Sequence, residues 1–369
     1  KMSVQKVSDA MITDLSASKL TGTIADARFP ATLPALDGSN LTGIATEPEI
    51  TKSTSEPTAT INPSGGVGTV WLRTTTGEMY CCTDATTNAN VWTNIGQGTG
   101  PQPYTQPSGG TITTDGNYKI HTFTSSGTFT TNSGSIAGGY EYLVIAGGGG
   151  GCRRSTAGGD GGGGAGGYLT NTGLSATNAT YSITVGAGGA GVTSNNGANG
   201  SDSVFATITS TGGGGGAWDS NNAGNGGSGG GSAYGGNAGT GISGQGFAGG
   251  EGLHASSVIA GGGGGGASAV GADCTVAGHG GVGGDGLLSS ITGASVARAG
   301  GGGGGGDSRN SGTGGAGGSG GGGHGGGAST TPTAGTANTG GGGGSVGSGS
   351  SGSPMAGGSG VVIIRYQFQ

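Results

Sequence analysis

The stretch AGHGGVGGDGLL, residues 277–288, keeps a side chain at only every third position through its centre: His279, Val282 and Asp285. Positions 278, 281 and 284 are glycine, and so are 280, 283 and 286. A period of three matches neither the 3.6 of an α-helix nor the 2 of a strand. It is the period of the left-handed polyproline-II helix, which rises about 3.1 Å per residue and has no internal hydrogen bonds, so that every N–H and C=O points outward. With two faces bare, such helices can lie side by side at backbone contact distance, each bonding its neighbours, while the third face turns to solvent. The same register runs through 224–241, where the free series is Asn225, Ser228, Gly231, Tyr234, Asn237 and Thr240.

Composition alone points elsewhere. With 102 glycines in 369 residues and 8% charged residues, the chain approaches the range in which a core fails to form. The glycines are unevenly placed, however, since only ten fall in the first hundred residues, and the later tracts are broken by apolar segments such as YEYLVIA (140–146) and VVIIRYQF (361–368). A disordered linker needs no such segments. Ordering a residue costs about 1–2 kcal/mol of backbone entropy against about 0.5–1.5 kcal/mol returned per net hydrogen bond. A glycine lattice therefore needs many neighbours per helix and an apolar frame, a role that falls to the flanking strands with Val258, Ile259, Leu287, Leu288 and Ile291.

The net charge of −6 and the scatter of Lys and Arg, apart from the pair Arg153–Arg154, leave no basic stripe for nucleic acid. No apolar run approaches the roughly 20 residues of a membrane span, so no membrane insertion is expected. Cys81, Cys82, Cys152 and Cys274 form neither a CxxC pair nor a dense disulfide framework and read as reduced packing residues. The four histidines lack ligand spacing, so neither a metal nor another cofactor is expected. The chain opens on Lys1 rather than Met, which reads as the distal or processed part of a longer protein.

Four segments follow. Residues 1–60 carry the near-repeat KLTGTIADARFP (19–30) and NLTGIATEP (40–48), with too few apolar positions to build a core unless other copies supply the rest, as in an oligomeric shaft. Residues 61–100 alternate β-branched and aromatic residues around TTTGE, the pattern of a small antiparallel β module, whose Trp71, Tyr80 and Trp92 read as its core. Residues 101–110 are a Pro- and Gly-rich linker. Residues 111–369 form the glycine-rich tip domain, with strands expected at 117–124, 127–131, 140–146 and the terminus. The fold class expected is all-β plus a polyglycine-II helix bundle, an elongated fibre with essentially no α-helix.

Glycine runs recur at 147–151, 212–216, 261–266, 300–306 and 340–344. Each precedes a chemically varied segment: 152–156, 217–222, 267–277, 307–311 and 345–355. If runs lead out and later tracts return, these segments are turns gathered at one end, and loops on a rigid scaffold are where recognition usually sits. The turns at the other end (168–184, 201–211, 245–260, 287–299, 328–339) are more apolar, as expected of an end packed on something. The candidate contacts are Arg153, Arg154, Trp218, Asp219, Asn221, Asn222, Asp307, Arg309 and Asn310, because Trp and Arg are common interface anchors and Trp beside Asp and Asn also suits a sugar.

The chain resembles bacteriophage tail fibres and receptor-binding proteins. LTGTIADARFPATLPALDGSNLTGI (20–44) is similar to fibre shaft repeats, GTVWLRTTTGEMYCCTDATTNANVWTNIG (68–96) to a β module that recurs in them, and YEYLVIAGGGGG (140–151) with GSGVVIIRYQF (358–368) to their glycine-rich domain. The resemblance implies a homotrimer in an extracellular virion tail fibre, joined to other virion tail proteins, whose tip loops bind a host cell-surface glycan or outer-membrane protein. Unlike the separate small adhesins of related phages, the glycine domain here continues from a shaft-like region.

A purely structural filament or virion-surface spacer is the alternative reading. A polysaccharide-cutting enzyme is disfavoured because Asp and Glu are few and isolated and offer no catalytic pair. Matches to GxGxxG follow from composition, and no helical hydrophobic period accompanies them as a dinucleotide site would require. An ice-binding face would want flat rows of Thr or Ala, which Asn225, Tyr234 and His279 do not form.

Overall fold

The structure is a computed structural model that describes residues 50–96, 107–131, 139–153, 159–175, 179–255, 258–275, 277–348 and 352–367. It is nearly all β, with a single 3-10 turn, Ser308–Asn310, as its helical element among the described residues. The chain divides into two compact units, Lys1–Pro101 and Gln102–Gln369. Of the shaft repeats assigned to 1–60, residues 1–49 lie outside the described residues.

In the first unit β1 (Ile50–Ser53), β2 (Val70–Arg73), β3 (Met79–Asp84) and β4 (Val91–Gly96) form one sheet in chain order, with β1 parallel to β2 and the other pairs antiparallel. Strand β1 falls within the stretch assigned to the shaft, so the β module starts earlier than the sequence suggests. The TTTGE turn between β2 and β3 reverses at Gly77, whose φ of +77° L side chains rarely adopt. The turn is held by Glu78, which accepts hydrogen bonds from Thr76 Oγ1 (2.7 Å) and Arg73 Nη1 (2.9 Å). Trp71 and Trp92 meet edge to face at 5.7 Å, and the Trp71 indole donates to the Ser55 carbonyl.

The second unit contains, in chain order, β5 (Thr111–Asp115), β6 (Tyr118–Phe123), β7 (Gly127–Thr130), β8 (Tyr140–Ile145), β9 (Cys152–Arg153), β10 (Tyr168–Leu174), β11 (Thr180–Thr184), β12 (Val192–Thr193), β13 (Ser203–Phe205), β14 (Ile208–Ser210), β15 (Leu253–Ala255), β16 (Val258–Ala260), β17 (Leu287–Ser289), β18 (Val296–Arg298) and β19 (Val361–Gln367). A five-stranded sheet has the order β10-β8-β19-β6-β5, and a four-stranded sheet has the order β14-β13-β11-β7. Alternation along β8 and β19 splits their side chains between two cores. Tyr140, Val144, Val362, Ile364 and Tyr366 pack with Phe129, Ile183 and Phe205 of the second sheet. Leu143, Ile145, Val361 and Ile363 face the other way, onto Tyr168, Ile291, Ala165, Ala267 and Ala299. Of the residues expected to frame the lattice, Ile291 does so. Leu287 and Leu288 are exposed, because the β17–β18 hairpin turns them outward.

His121 lies in the first of these cores with no exposed surface, stacked on Tyr366 and edge-on to Phe129, and its Nδ1 is 2.7 Å from the Gly109 carbonyl. Burial pushes its pKa below the ordinary value; the Gly109 bond opposes that shift and Lys119 adds to it. The folded chain therefore holds a neutral ring that the unfolded chain protonates first. Stability from this site is intact above about pH 6.5 and is lost as pH falls from there through the depressed folded value. His121→Phe should flatten the pH dependence of the thermal midpoint between about pH 7 and pH 5. An unchanged slope would show that the ring is not the titrating group.

Three neighbouring strands lead straight into glycine. Strand β8 continues as tract 146–152, tract 159–167 enters β10, and tract 354–360 enters β19. The hydrogen bonds of 159–167 reveal the packing. The amides of Gly161, Gly164 and Gly167 bond the carbonyls of Ala217, Gly214 and Thr211; those of Gly162 and Ala165 bond Gly262 and Gly265; those of Gly163 and Gly166 bond Gly343 and Gly340. Three successive amides thus reach three different neighbours, and the fourth returns to the first, which is a threefold screw. The carbonyls repeat the pattern toward 146–149, 228–231 and 302–305. The surrounding tracts also bond one another in a closed ring, 146–152 to 211–217 to 228–233 to 260–266 to 300–306 to 340–348 and back. Tract 159–167 is therefore the centre of a hexagon of polyglycine-II helices.

Burial separates the two glycine patterns read in the sequence. The consecutive runs are buried at every residue because they have neighbours on all sides. In 278–286, at the margin, exposure returns every third residue, at His279, Val282 and Asp285. The register read across 224–241 does not belong to one helix: direction reverses near Gly227 and again at Tyr234–Gly235, which leaves 223–227, 228–233 and 236–241 as separate passes.

The side chains on the free face are not idle. Along the margin they take amides that no backbone neighbour reaches. Asn196, Asn199 and Asp202 accept, through Oδ1, from the amides of Trp218, Gly215 and Gly212 at 2.9, 2.8 and 2.8 Å. Asn222 and Asn225 do the same for Asn237 and Thr240. His279 Nδ1 takes the amide of Thr313 and Asp285 that of Ser319. Midway between them, Val282 stands where an acceptor would meet the amide of Ala316. Val282→Asn should complete this ladder and raise stability by about 0.5–1.5 kcal/mol. Thermal melts check it, and a lower midpoint would show that the ladder adds nothing over water.

Candidate functional site

Because the tracts alternate in direction, their turns fall at two ends. The sheet end holds 168–175, 179–185, 202–210, 242–245, 287–299 and 337–339. The opposite end, the tip, holds 193–196, 218–222, 234–235, 252–255, 258–259, 307–311 and 328–332. Two expectations need correction. Segment 267–277 is not one tip loop, because Ala267 and Ser268 turn at the sheet end and 269–274 is itself a lattice pass. Segments 252–255, 258–260 and 328–332 belong to the tip rather than the sheet end, since 246–251 and 321–327 run away from the sheets. In both cases the sequence pattern hid a lattice pass that contains ordinary residues.

Residues 152–153 and two candidate loops stand around the outer end of the central helix. Cys152, at the close of tract 146–152, donates through Sγ to the Ala217 carbonyl at 2.8 Å, and the next residue, Arg153, is half-buried and pairs with Thr193. Arg154 lies outside the described residues. Loops 218–222 and 307–311 end tracts that stand on opposite sides of the central helix.

In 218–222 the backbone turns with Asp219 at φ +54°, and the Asn221 amide bonds the Trp218 carbonyl. Trp218 is half-buried, its indole N–H enclosed with no partner among the described residues, so it is not a fully open platform. The Asn222 side chain serves the lattice margin. Ser220 and Asn221 are exposed.

Asp307 is the clearest correction. It has no exposed surface and cannot touch a partner directly. Its carboxylate accepts from Arg309 Nε and Nη2 (both 2.8 Å), Asn310 Nδ2 (3.1 Å), and the amides of Ile259 (3.0 Å) and Arg309 (3.2 Å). Burial pushes its pKa up, but the Arg309 bonds, the Ile259 amide, Asn310 and the Arg309 charge outweigh that and hold it below the usual carboxylate range. Asp307 caps the short 3-10 turn and joins it to the β15–β16 hairpin. Arg309 and Asn310 stay exposed around it. No sequence signal distinguished this buried Asp from its exposed neighbours, since a five-residue loop carries no periodicity.

The four cysteines are free, and among the described residues no group of His, Cys, Asp or Glu could hold a metal. No helix among them is long and apolar enough to cross a membrane.

A family profile described as a glycine-rich domain matches residues 123–367. No curated protein matches the chain.

Proposed function

The chain belongs to the glycine-rich domain family, and we propose, from the placement of its loops, that it is the receptor-binding part of a phage tail fibre, whose tip loops adsorb to a host cell-surface glycan or outer-membrane protein. The observation that carries this reading is the one-ended gathering of Arg153, Trp218, Asn221, Arg309 and Asn310 around the outer end of a backbone-bonded hexagon, while the other end is occupied by sheets. A lattice with hydrogen bonds in six directions gives loops a stiff base, and stiffness reduces the ordering cost of binding.

A purely structural spacer is the second reading. It is favoured by Asp307, which bonds within the protein and has no exposed surface, and by Asn222, whose exposed side chain is taken up by the Asn237 amide. Adsorption to host cells separates the two. Replacing 218–222 with Gly-Ser residues, together with Arg309→Ala and Asn310→Ser, and leaving Asp307 in place, should abolish adsorption while the thermal transition persists at a lower midpoint, because the buried Asp307 loses two of its partners. Full adsorption by that variant would remove the loops from the function.

A further inference from the structure

We propose that the β17–β18 hairpin and Tyr168 together form a binding site for the carboxylate of a small aliphatic acid. The observation behind it is Arg298. It is 9% exposed, the most buried Lys or Arg among the described residues, and its Nη1 is enclosed with no hydrogen-bond partner there. More exposed arginines are paired: Arg73 with Glu56 and Glu78, Arg309 with Asp307, and Arg365 with Asp115 and Glu141. No carboxylate does this for Arg298, whose pKa is lowered by burial and raised in return by the Tyr168 hydroxyl alone. Asp285, two residues before the strand partner of Arg298, is taken by the amide and hydroxyl of Ser319. A buried guanidinium is costly without a counter-charge, and a buried polar group without a partner marks a place for a water or an ion.

Strand register gathers further donors at the same place. Leu287 pairs with Arg298 and Ser289 with Val296, so these four side chains share one face of the hairpin. Tyr168, which opens β10, packs with Ile291 in the turn of the hairpin and with Ala299, the neighbour of Arg298. Burial raises the pKa of its hydroxyl, while a hydrogen bond with Ser289 and the charge of Arg298 lower it, which places the three polar groups together. Ser289 Oγ accepts from the Ile291 amide at 3.2 Å, so its proton remains to be donated.

The donor set selects the ligand. The edge of a guanidinium matches the two oxygens of a carboxylate, and hydroxyls can donate to the lone pairs that remain. One cation balances one negative charge, so a carboxylate suits this place better than sulfate or a phosphate dianion. Leu287 and Val296, 38% and 37% exposed on the same face, offer an apolar wall to an aliphatic tail.

Thermal melts of the full chain test this, with sodium butyrate, acetate, sulfate and chloride compared at equal ionic strength. The midpoint of the glycine-rich unit should rise by several degrees with butyrate, less with acetate, and least with sulfate and chloride. Arg298→Met, which puts an apolar side chain where an unpaired cation is buried, should raise the midpoint in chloride and abolish the butyrate response. Tyr168→Phe keeps the ring and removes one donor. It should weaken butyrate binding several-fold, read from the concentration at which the midpoint rises, and it decides the matter if the Met variant does not fold. A wild type that responds to butyrate no more than to chloride overturns the proposal. So does a butyrate response that survives at full strength in either variant.

Discussion

Gly163→Ala should destabilise the glycine-rich unit by about 3 kcal/mol or more, lowering its thermal midpoint by roughly 6 to 12 °C, and Gly163→Val should prevent it from folding. A Cβ at this position would overlap the carbonyl of Gly149, whose carbon would lie 2.6 Å away. Ordinarily a neighbouring side chain could yield. Here the neighbours are backbones, and each is held by further backbones around the hexagon, so the methyl must spread whole helices and stretch their hydrogen bonds. Val282→Ala, on the exposed face of 278–286, should shift stability by no more than about 0.5 kcal/mol. A wild-type midpoint for Gly163→Ala would mean that the central tract is not packed as described.

Ending the chain at Gly360 should leave the second unit without a cooperative unfolding transition. The residues removed include β19, which lies between β8 and β6 and bonds both. Val361 and Ile363 fill one core, while Val362, Ile364 and Tyr366 fill the other, so the truncation removes the middle of both. Loss of one buried aliphatic side chain typically costs about 2–5 kcal/mol, and total stabilities are about 5–15 kcal/mol, so losing four such side chains together with Tyr366 exceeds what the fold can sustain. The sheet would also present two new unpaired edges, a template for aggregation. Calorimetry and solubility of the truncated chain check this; a retained transition would show that the lattice folds without its central strand. Because β19 is the last of the five strands in chain order, the sheet cannot close until that strand has been made.

Much of the frame was legible in the sequence. Segments 140–146 and 361–368 read as strands, and they form β8 and β19, because Val, Ile and Tyr in unbroken runs suit a strand buried on both faces. Strand β5 was not anticipated. It is an edge strand with four of its five residues exposed, and TITTD carries little apolar alternation. The threefold spacing of 278–286 was read correctly as a helix with one free face. The same spacing in 224–241 misled, because glycine fits a reversal as readily as a straight pass and a register in threes continues across the bends. At the tip, the sequence marked segments 217–222 and 307–311, but it could not separate Asp307, bonded inside its loop, from Arg309, exposed beside it.

The sequence alone determined the backbone states: extended strands where β-branched and aromatic residues cluster, and threefold helices where glycine removes side chains from two or three faces. Only the tertiary structure decided which tract stands at the centre, which pairs run in the same direction, and which turns share an end. The physical reason is that a polyglycine-II helix has no hydrogen bonds of its own. Every amide must find its acceptor on another segment, and a residue without a side chain carries no mark of which segment that is. The choice falls to the sheets that fix where β8, β10 and β19 enter the lattice, and to the Asn, Asp and His side chains that close its margins.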